Sequence, residues 1–444
     1  MVEPRTLRGF RDYLPDVMIP RQKMLAKVEA TFQRFGFLPL MTPALERLEV
    51  LQGKYGEEGE KLLYSFETRG ERAVALRYDL TVPLARVIAQ YGELPMPFRR
   101  YQIAPVWRAE RPQRGRFREF LQCDGDIVGS ADMAADGEIL GLACALLDDL
   151  GVENRAIRIN NRKVLSGLMH RIGIVDPERE KGVLRTIDKL PKIGPDETRR
   201  LLEAENGLSA EQAARVFEFL SIDGSSGQVL ERLDAFFAET AAAGADPGRE
   251  GARELRELFD IVEALGIGGS VSIDLSIARG LDYYTGTIYE AFLTDLPGYG
   301  AVMGGGRYDN LIGVFKGADV PAVGISLGTD RLLQGLIELD VLETPRSVVD
   351  VLVTVFDASL APRSARVAQT LRRAGIGCEL YPAAAKIGKQ FKHAERAGMR
   401  WVVVVGPDEA AQGRASVKDL RSGAQETVAE TELAGHLKSR AGPG

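Results

Sequence analysis

Five arginines lie within an eleven-residue stretch of the chain, at Arg108, Arg111, Arg114, Arg116 and Arg118. Guanidinium groups bind phosphate oxygens through pairs of parallel hydrogen bonds, and they stay charged at every physiological pH. The stretch therefore suits a polyphosphate, the end of a nucleic acid, or both. A solvated turn with ion pairs to Glu110 and Glu119 fits the spacing equally well, so spacing alone leaves both interpretations open.

A second set of polar residues alternates along the segment FLQCDGDIVG, residues 120–129. Gln122, Asp124 and Asp126 are two positions apart, so they share one face if the segment is a strand. Three polar side chains on one face, among apolar neighbours, favour a wet cleft over a core. Amide and carboxylate groups in such a cleft suit a substrate that is cationic or donates hydrogen bonds.

Two further segments combine polar and aromatic residues. In ARGLDYYTGTIYE, residues 278–290, an arginine leads into two adjacent tyrosines at the start of an expected strand. Tyr283 and Tyr284 would then point to opposite faces, which favours a structural role for at least one ring. In LRYDLT, residues 76–81, Asp79 and Thr81 lie at an expected helix start, where both residue types are common N-caps.

Several common enzyme signatures are missing from the sequence. There is no GxxxxGK[ST] loop, no GxGxxG between a strand and a helix, no HExxH and no GxSxG. Three histidines and three widely spaced cysteines support neither a zinc site nor a disulfide framework. Any phosphate chemistry would have to depend on arginines. Because the net charge is −6, nucleic-acid binding would need basic residues that are concentrated locally.

Hydrophobic periodicity predicts the elements that would position these residues. In the first part of the chain, strands are expected at 72–76, 99–108, 118–129, 270–277, 283–294 and 321–328. Helices are expected at 20–36, 81–92 and 132–150. The stretch 176–262 is rich in Glu, Arg, Ala and Leu, which predicts a mainly helical insertion.

The C-terminal part of the chain has a different pattern. It follows a linker signal at 343–348. Strand and helix patterns then alternate, which predicts a separate α/β domain. The expected strands are 349–356, 376–381 and 401–405, with helices at 361–374 and 388–397.

Taken together, the motifs resemble those of the histidyl-tRNA synthetase family. The resemblance rests on their order: RYDLT, then WRAERPQRGRFREFLQCDGDIVG, then RGLDYYTG, then GGRYDNL, then PAVGISLGTDRL. It extends from RGFRDYLP at residues 8–15 into the C-terminal domain. RGLDYYTG and GGRYDNL are the most specific of these segments.

The resemblance implies a fold and a domain organisation. Residues 1–342 would form an α+β class II synthetase catalytic domain, an antiparallel sheet flanked by helices, with the helical insertion at about 176–262 contacting the tRNA acceptor arm. Residues 343–444 would form an α/β anticodon-binding domain. TPALE around Pro43 resembles the family's dimer-interface motif, which implies a homodimer.

The resemblance also implies an activity and a histidine site. The enzyme would activate histidine with ATP to histidyl-adenylate and pyrophosphate, and then transfer histidine to the 3′ end of its tRNA. Asp79 and Thr81 would bind the α-amino group, and Gln122 would help to hold the amino acid. Asp126 would accept a hydrogen bond from the imidazole, whose surroundings Tyr283, Tyr284 and Tyr308 would complete. Arg108 and Arg279 would also contact the bound histidine.

Catalytic and nucleotide contacts follow from the same resemblance. Arg279, together with Arg108, would stabilise charge at the α-phosphate. Glu110 would contact the adenine amino group, Arg331 would pack beside the nucleotide, and Arg116 would meet the outer phosphates. ATP would be a substrate, with Mg²⁺ bridging its outer phosphates and with no metal-binding site built from protein ligands. Contacts to tRNA are expected from Arg111, Gln113, Lys389 and Lys392.

Two alternatives remain to be compared with this interpretation. One is a non-catalytic synthetase-like regulatory subunit of ATP phosphoribosyltransferase in histidine biosynthesis, a class that usually lacks the anticodon-binding domain and some pocket residues. The other is an ATP-dependent ligase that acts on a small molecule. The N-terminus has no apolar segment of a signal peptide, and no apolar run is long enough to span a membrane, which predicts a cytoplasmic enzyme without a membrane partner.

Overall fold

The chain divides into two compact units in a computed structural model that describes residues 2–70, 73–112, 116–238, 246–278 and 283–440. The first unit contains the residues up to Arg11 and Met24–Val341. The second contains Asp12–Lys23 and the residues from Leu342 onward. None of the helices in these described ranges is long and apolar enough to cross a membrane.

The strands of the first unit form two sheets. In chain order they are β1 (Leu38–Pro39), β2 (Leu45–Arg47), β3 (Ser65–Glu67), β4 (Ala73–Leu76), β5 (Phe98–Trp107), β6 (Glu119–Val128), β7 (Arg155–Asn161), β8 (Val271–Ile273), β9 (Thr287–Leu293), β10 (Met303–Arg307) and β11 (Ala322–Gly328). Over the described residues, the larger sheet has the order β1-β5-β6-β11-β10-β9-β7-β8. The smaller sheet is β2-β4-β3.

The larger sheet is antiparallel through its centre, as predicted. Only its outermost pairs, β1 with β5 and β7 with β8, run parallel. In the register of the central strands, Asp124 of β6 lies opposite Ser326 of β11, and Asp126 lies opposite Gly324. On the other side of β6, Asp126 lies opposite Arg100 of β5. This register brings the charged side chains of β5 and β6 together beside β11 in the middle of the sheet.

Helices cover this unit. They are α1 (Pro15–Arg34), whose residues up to Lys23 are counted with the second unit, α2 (Leu48–Leu51), α3 (Gly56–Glu60), α4 (Thr81–Gln90), α5 (Met133–Asp149), α6 (Arg162–Arg171), α7 (Pro177–Ile187), α8 (Leu190–Ala204), α9 (Ala210–Leu220), α10 (Ser226–Ala238), α11 (Pro247–Ala264), α12 (Gly313–Lys316) and α13 (Thr329–Glu338). Single 3₁₀ turns occur at Gly268–Ser270 and Pro297–Tyr299. The insertion predicted at 176–262 corresponds to α7–α11, and it is helical in its described residues.

Local sequence signals explain where several helices begin. The Asp132 carboxylate accepts a hydrogen bond from the backbone N–H of Ala134 and caps α5. Asp176 caps α7, and Pro177 follows it at the first helical position. Ser209 and Gln212 form a reciprocal capping box at the start of α9. Side-chain oxygens at these positions satisfy backbone N–H groups that have no partner within the helix.

The second unit is built on a mixed sheet. Its strands are β12 (Val351–Val353), β13 (Cys378–Leu380), β14 (Trp401–Val404), β15 (Arg414–Asp419) and β16 (Gln425–Ala429), and its further helices are α14 (Ala361–Arg373), α15 (Ile387–Ala397), α16 (Pro407–Gln412) and α17 (Leu433–Arg440). β12 pairs in parallel with β13 and β14, as the predicted alternation requires. β15 and β16 extend the sheet in antiparallel fashion and were not predicted.

One expectation about the first unit was wrong in part, and one strand was not predicted. The strand expected at 283–294 begins only at Thr287, so Tyr283 and Tyr284 precede it and strand alternation does not govern their directions. The glycine-rich segment around GGGR was not predicted as a strand, yet Met303–Arg307 forms β10 in the middle of the sheet. Glycine is depleted from strands in general, and this hid β10 in the sequence.

Candidate active site

A cleft of about 400 Å³ lies over the centre of the larger sheet. Its floor is formed by β6, β11, β10 and β9, and the start of α4 and the Arg108–Glu110 segment form part of its wall. The charged, amide and hydroxyl side chains in the lining are Tyr78, Asp79, Thr81, Arg108, Glu110, Arg116, Gln122, Asp124, Asp126, Tyr283, Tyr284, Tyr289, Glu290, Tyr308, Ser326 and Arg331. The cleft therefore combines cations with carboxylates and phenols.

The polar face of β6 forms one part of the floor. Gln122, Asp124 and Asp126 are all buried, and all three line the cleft as their alternation predicted. The Gln122 amide Nε2 donates to Ser326 Oγ at 2.7 Å. Burial raises the pKa of Asp124 to about 7, a shift that Arg100 opposes and the neighbouring Asp126 increases.

Asp126 contacts one cationic and one phenolic side chain among the described residues. Its Oδ2 lies 2.7 Å from Nη2 of the fully buried Arg100, and its Oδ1 accepts a hydrogen bond from the Tyr308 hydroxyl. Burial raises the pKa of Asp126, and both Arg100 and the Tyr308 hydrogen bond counteract that rise. Arg100 was not predicted, because its position opposite Asp126 depends on the register of β5 and β6.

Asp79 lies immediately before α4 and has two different surroundings. Its Oδ1 accepts hydrogen bonds from the Val82 N–H at 3.1 Å and from the Tyr55 hydroxyl at 3.0 Å. Its Oδ2 is buried and has no partner among the described residues. Burial raises the pKa of Asp79, whereas the Val82 N–H and the charge of Arg108 lower it. One oxygen stabilises the helix start, and the other is available to a ligand.

Arg108 is held at the end of β5 by aromatic rings. Its guanidinium lies 4.3 Å from the ring centroid of Tyr78 and 5.1 Å from that of Phe120. Its Nε donates to the Tyr78 carbonyl at 3.2 Å. Nearby, Arg116 forms an ion pair with Glu110. The rings fix one cation in place without neutralising it, because they carry no formal charge.

Tyrosine rings enclose the end of the cleft near Asp126. The rings of Tyr283 and Tyr284 meet edge to face with centroids 5.1 Å apart, and Tyr283 lies 5.9 Å from Tyr308. Burial raises the pKa of each of these three phenols, so their hydroxyls stay protonated and can donate hydrogen bonds. Both adjacent tyrosines thus line the cleft, contrary to the alternation expected from a strand.

Glycines in β10 and β11 allow the strands that form the floor of the cleft to pack closely. A Cβ at Gly305 would lie 2.1 Å from the Gly324 carbonyl oxygen, and a Cβ at Gly324 would lie 1.9 Å from Asp126 Oδ1. A Cβ at Gly306 would lie 2.5 Å from the Thr287 carbonyl oxygen. β10 and β11 can therefore pack closely beneath the cleft only if these positions carry no side chain.

The segment GGRYDNL contains one residue that lines the cleft and two charged residues that hold neighbouring parts of the fold. Tyr308 faces the cleft, whereas Arg307 is buried and paired with Asp136 of α5. Arg307 also donates to the Ser130 carbonyl at 2.9 Å. Asp309 accepts hydrogen bonds from the Thr285 hydroxyl at 3.2 Å and the Ala322 N–H at 3.2 Å. Two of the motif's charged residues therefore position the strands and do not line the cleft.

Most of the predicted histidine and ATP residues lie together in this cleft. They are Asp79, Thr81, Arg108, Glu110, Arg116, Gln122, Asp126, Tyr283, Tyr284, Tyr308 and Arg331. Arg279 and Gln113 lie outside the described residues. Arg111 is exposed and does not line the cleft, and Lys389 and Lys392 are exposed on α15 of the second unit.

Comparison with known proteins identifies the family. The family model for histidyl-tRNA synthetase matches residues 9–332, and an anticodon-binding domain model matches residues 349–440. The chain belongs to the histidyl-tRNA synthetase family. It is therefore an aminoacyl-tRNA ligase with a class II catalytic domain and an anticodon-binding domain, which confirms the predicted fold and enzyme class.

Individual relatives match the chain over nearly their whole lengths. Histidine–tRNA ligase of Rhodopirellula baltica is 44% identical, with 97% of this chain and 96% of the relative covered. The Gloeobacter violaceus ligase is 41% identical, with 99% and 100% covered. The crystal structure of histidyl-tRNA synthetase from Nostoc sp. PCC 7120 superposes with a TM-score of 0.86 at 36% identity, covering 99% of this chain and 100% of that one.

The regulatory-subunit alternative receives no comparable support. A structure from Bacillus halodurans, titled as an ATP phosphoribosyltransferase regulatory subunit/histidyl-tRNA synthetase, has a TM-score of 0.75 but only 21% identity. At that identity the likeness shows a shared fold alone. The matched anticodon-binding domain also argues against this alternative, because the sequence analysis expects that domain to be missing from most regulatory subunits.

Proposed function

We propose that the chain activates histidine with ATP in the cleft over β6 and then transfers it to histidine tRNA. The histidine carboxylate attacks the α-phosphorus, and the bond to pyrophosphate breaks as histidyl-adenylate forms. A hydroxyl at the 3′ end of the tRNA then attacks the acyl carbon, and AMP leaves. The observation that carries this proposal is the buried Oδ2 of Asp79, which has no hydrogen-bond donor among the described residues, in the same cleft as the guanidinium of Arg108, which lies against the Tyr78 ring.

The ammonium end of histidine is assigned to Asp79 and Thr81. A buried carboxylate oxygen without a donor is costly, and an ammonium group supplies both the hydrogen bond and the opposite charge. Gln122 Oε1 is a second buried acceptor without a described donor, and it lines the same cleft. Asp126, Tyr283, Tyr284 and Tyr308 would then surround the imidazole.

The nucleotide is assigned to the arginine side of the cleft. Arg108 would contact the α-phosphate, where it can stabilise charge that develops as the carboxylate attacks. Glu110 would accept from the adenine amino group, with Arg331 beside the nucleotide and Arg116 at the outer phosphates. Because Glu110 pairs with Arg116, that ion pair would have to open for Glu110 to contact adenine.

Arg279 keeps its predicted catalytic role on the basis of the family resemblance alone. Mg²⁺ is proposed to enter with ATP, because the phosphate oxygens of ATP are the hard donors that this ion prefers. When bound, the ion would offset phosphate charge.

tRNA binding is proposed for surfaces away from the cleft. Arg111 and Gln113 would approach the acceptor end, and Lys389 and Lys392 on α15 would meet phosphates of the anticodon stem. The three cysteines are buried and not joined in disulfides, which suits a reducing compartment and a cytoplasmic enzyme.

A homodimer is proposed through the surface around Pro43. The side chains of Leu38 and Met41 are 58% and 68% exposed, and Leu45 is 42% exposed. Leu38 and Met41 precede the TPALE motif that predicted the dimer interface, and Leu45 belongs to it, so burying them against a second copy would be favourable. Sedimentation velocity tests this proposal: a monomer at micromolar concentration would contradict it.

The assays of the proposed function are histidine-dependent pyrophosphate exchange and the charging of histidine tRNA. Exchange measures adenylate formation alone, whereas charging requires both steps. Loss of charging with retained exchange in a tRNA-surface variant would support the division of roles. Equal loss in both assays would contradict it.

A further inference from the structure

Tyr55 is a buried phenol behind the cleft that the proposed mechanism leaves without a role. It lies immediately before α3, in the connection between β2 and β3, and only 5% of its surface is exposed. It is not among the described residues that line the cleft, so it would not touch a ligand there. A buried tyrosine hydroxyl needs a hydrogen-bond partner, and the choice of partner shows what the residue does.

The Tyr55 hydroxyl donates to Asp79 Oδ1 at 3.0 Å. The same oxygen accepts from the Val82 N–H at 3.1 Å. Two donors that converge on one oxygen restrict rotation of the carboxylate about its Cβ–Cγ bond. Oδ2 is then the oxygen that remains without a hydrogen-bond donor among the described residues. Tyr55 therefore helps to determine which oxygen of Asp79 is presented to the cleft.

The ring of Tyr55 connects Asp79 to the arginine side of the cleft. It packs against the Tyr78 ring with the two centroids 4.5 Å apart. The Tyr78 ring in turn lies 4.3 Å from the guanidinium of Arg108. Aromatic pairs at such distances contribute free energy beyond the area that they bury. One side chain thus supports both the residue assigned to the ammonium group and the residue assigned to the α-phosphate.

We propose that Tyr55 is a positioning residue for histidine activation: its hydroxyl orients the Asp79 carboxylate towards the ammonium group, and its ring supports the Tyr78 ring against which Arg108 lies. The assignment rests on the proposed function, since it needs histidine at Asp79 and ATP at Arg108. Tyr55 touches neither substrate, and its whole effect is transmitted through its neighbours.

The hydroxyl of Tyr55 also favours the charged form of Asp79. Burial raises the pKa of Asp79, whereas the Val82 N–H, the charge of Arg108 and the Tyr55 hydrogen bond lower it. Burial also raises the pKa of Tyr55 well above its ordinary value, so this phenol remains a donor at physiological pH. The other ionisable groups that interact with Asp79 are Tyr78, Arg100, Arg108, Asp124, Tyr283 and Tyr284. They are the same when Tyr55 alone is replaced.

The first experiment compares the full-length protein with Tyr55→Phe and Tyr55→Leu in pyrophosphate exchange. Phenylalanine removes only the hydroxyl, so kcat/KM for histidine should fall about fivefold to fiftyfold while the KM for ATP stays within about twofold. Leucine also removes the ring that supports Tyr78, so it should in addition raise the KM for ATP about threefold or more. Tyr101→Phe is the matched control, because the buried Tyr101 donates to the Glu29 carboxylate at 2.7 Å away from the cleft lining.

The second experiment tests whether Tyr55 acts through Asp79. Tyr55→Phe is introduced into Asp79→Ala, where no carboxylate remains to be oriented, and kcat/KM for histidine is measured in all four proteins of the cycle. The loss caused by Tyr55→Phe should shrink to within about twofold in this background, because the two side chains act as one unit. An equal loss with and without Asp79 would overturn the proposal.

The pH profile distinguishes this role from a purely structural one. The pH dependence of kcat/KM reports groups of the free enzyme and free substrate, and the substrate is the same for wild type and variant. Without the Tyr55 hydroxyl the pKa of Asp79 should rise, so the ratio of wild-type to Tyr55→Phe kcat/KM should grow as pH falls from about 8.5 to about 6. For Tyr101→Phe the ratio should stay constant. A constant ratio for Tyr55→Phe would overturn the proposal even if Asp79→Ala is too inactive for the double-mutant cycle.

The outcomes separate the proposal from the function on which it rests. An unchanged kcat/KM for histidine in Tyr55→Phe, or an equal loss in Tyr101→Phe, would overturn the role of Tyr55. Absence of histidine-dependent exchange in the wild type would instead overturn the proposed function. If Tyr55→Leu fails to fold, Tyr55→Phe still decides the proposal, because it keeps the ring and its packing.

Discussion

At the scale of single residues, Asp79 shows that a structural and a functional interpretation can both hold. Its position before a helix predicted an N-cap, and the family resemblance predicted an ammonium ligand. In the structure Oδ1 accepts from the Val82 N–H, while Oδ2 remains without a described partner in the cleft. A carboxylate has two oxygens, so one of them can stabilise the start of α4 while the other accepts a hydrogen bond from a ligand.

Replacing Asp79 by asparagine should separate these two functions. Asparagine is also a good N-cap, so α4 and the melting temperature should be retained. The charge opposite the ammonium group is lost, and the KM for histidine should rise about tenfold or more. Asp132→Asn is the control because it makes the same change at the cap of α5. An unchanged KM for histidine would contradict the assignment of Asp79.

Asp124 makes a testable contribution to the pH dependence of stability. Its folded-state pKa is about 7, against an ordinary value of 3.8, chiefly because it is buried. Between these values the folded protein holds a proton that the unfolded chain has released, so stability falls as pH rises through this window. Asp124→Asn mimics the protonated acid. It should raise the Tm of the unliganded protein at pH 8 by about 2 °C or more and leave it unchanged at pH 4.

Differential scanning calorimetry at the two pH values measures this difference. The neighbouring charges of Arg100, Asp126 and Asp79 are the same in both proteins, so the comparison isolates Asp124. A Tm increase of equal size at pH 4 and pH 8 would show that asparagine acts through packing and would contradict the titration.

At the scale of elements, β6, which has alternating polar and apolar side chains, was easier to predict than the glycine-rich β10. The alternation of Gln122, Asp124 and Asp126 revealed both β6 and its cleft face before the fold was known. β10 is built largely of glycine, which has no hydrophobic period to detect. Arg100 escaped prediction for a related reason, since only the pairing of β5 with β6 brings it to Asp126.

The close packing of β10 predicts a strong effect of a single methyl group. A Cβ at Gly305 would lie 2.1 Å from the Gly324 carbonyl oxygen and 2.7 Å from the Tyr289 ring. Gly305→Ala should therefore destabilise the protein by about 1–3 kcal/mol and deform the floor of the cleft, lowering exchange activity. Denaturant unfolding and the exchange assay together measure both effects.

Gly298→Ala provides the control for this substitution. A Cβ at Gly298 would meet nothing within 4 Å, and its φ is not in the left-handed region. Its stability should change by less than about 0.5 kcal/mol. Equal effects of the two substitutions would contradict the attribution of the loss at Gly305 to packing of the cleft floor.

At the scale of the whole molecule, adenylate formation and tRNA recognition are assigned to different parts of the chain. The cleft residues lie in the unit that contains Met24–Val341, whereas Lys389 and Lys392 lie in the second unit. The sequence analysis expects a domain boundary near 343–348, because the strand and helix pattern changes after the linker there. It did not predict β15 and β16, which complete the second sheet and lie beyond the alternating pattern.

Charge reversal on α15 tests the assignment of the second unit. The Lys389→Glu/Lys392→Glu variant should reduce the charging of histidine tRNA at least about tenfold at physiological salt, because two phosphate contacts become repulsive. Pyrophosphate exchange should be unchanged. Lys438→Glu on α17 is a control with the same change of charge at another exposed position. An equal loss of charging in the control would show that the change in net charge explains the effect, and it would contradict a specific role of α15.

The central claim is that this cleft activates histidine. Its most direct test is ATP–pyrophosphate exchange by the purified chain, measured with each of the twenty amino acids in turn and without tRNA. We predict exchange that requires histidine and saturates as its concentration rises. Aromatic and aliphatic amino acids should give only background exchange, because their side chains would leave the buried carboxylates unpaired. Absence of exchange with histidine, or equal exchange with another amino acid, would contradict the account.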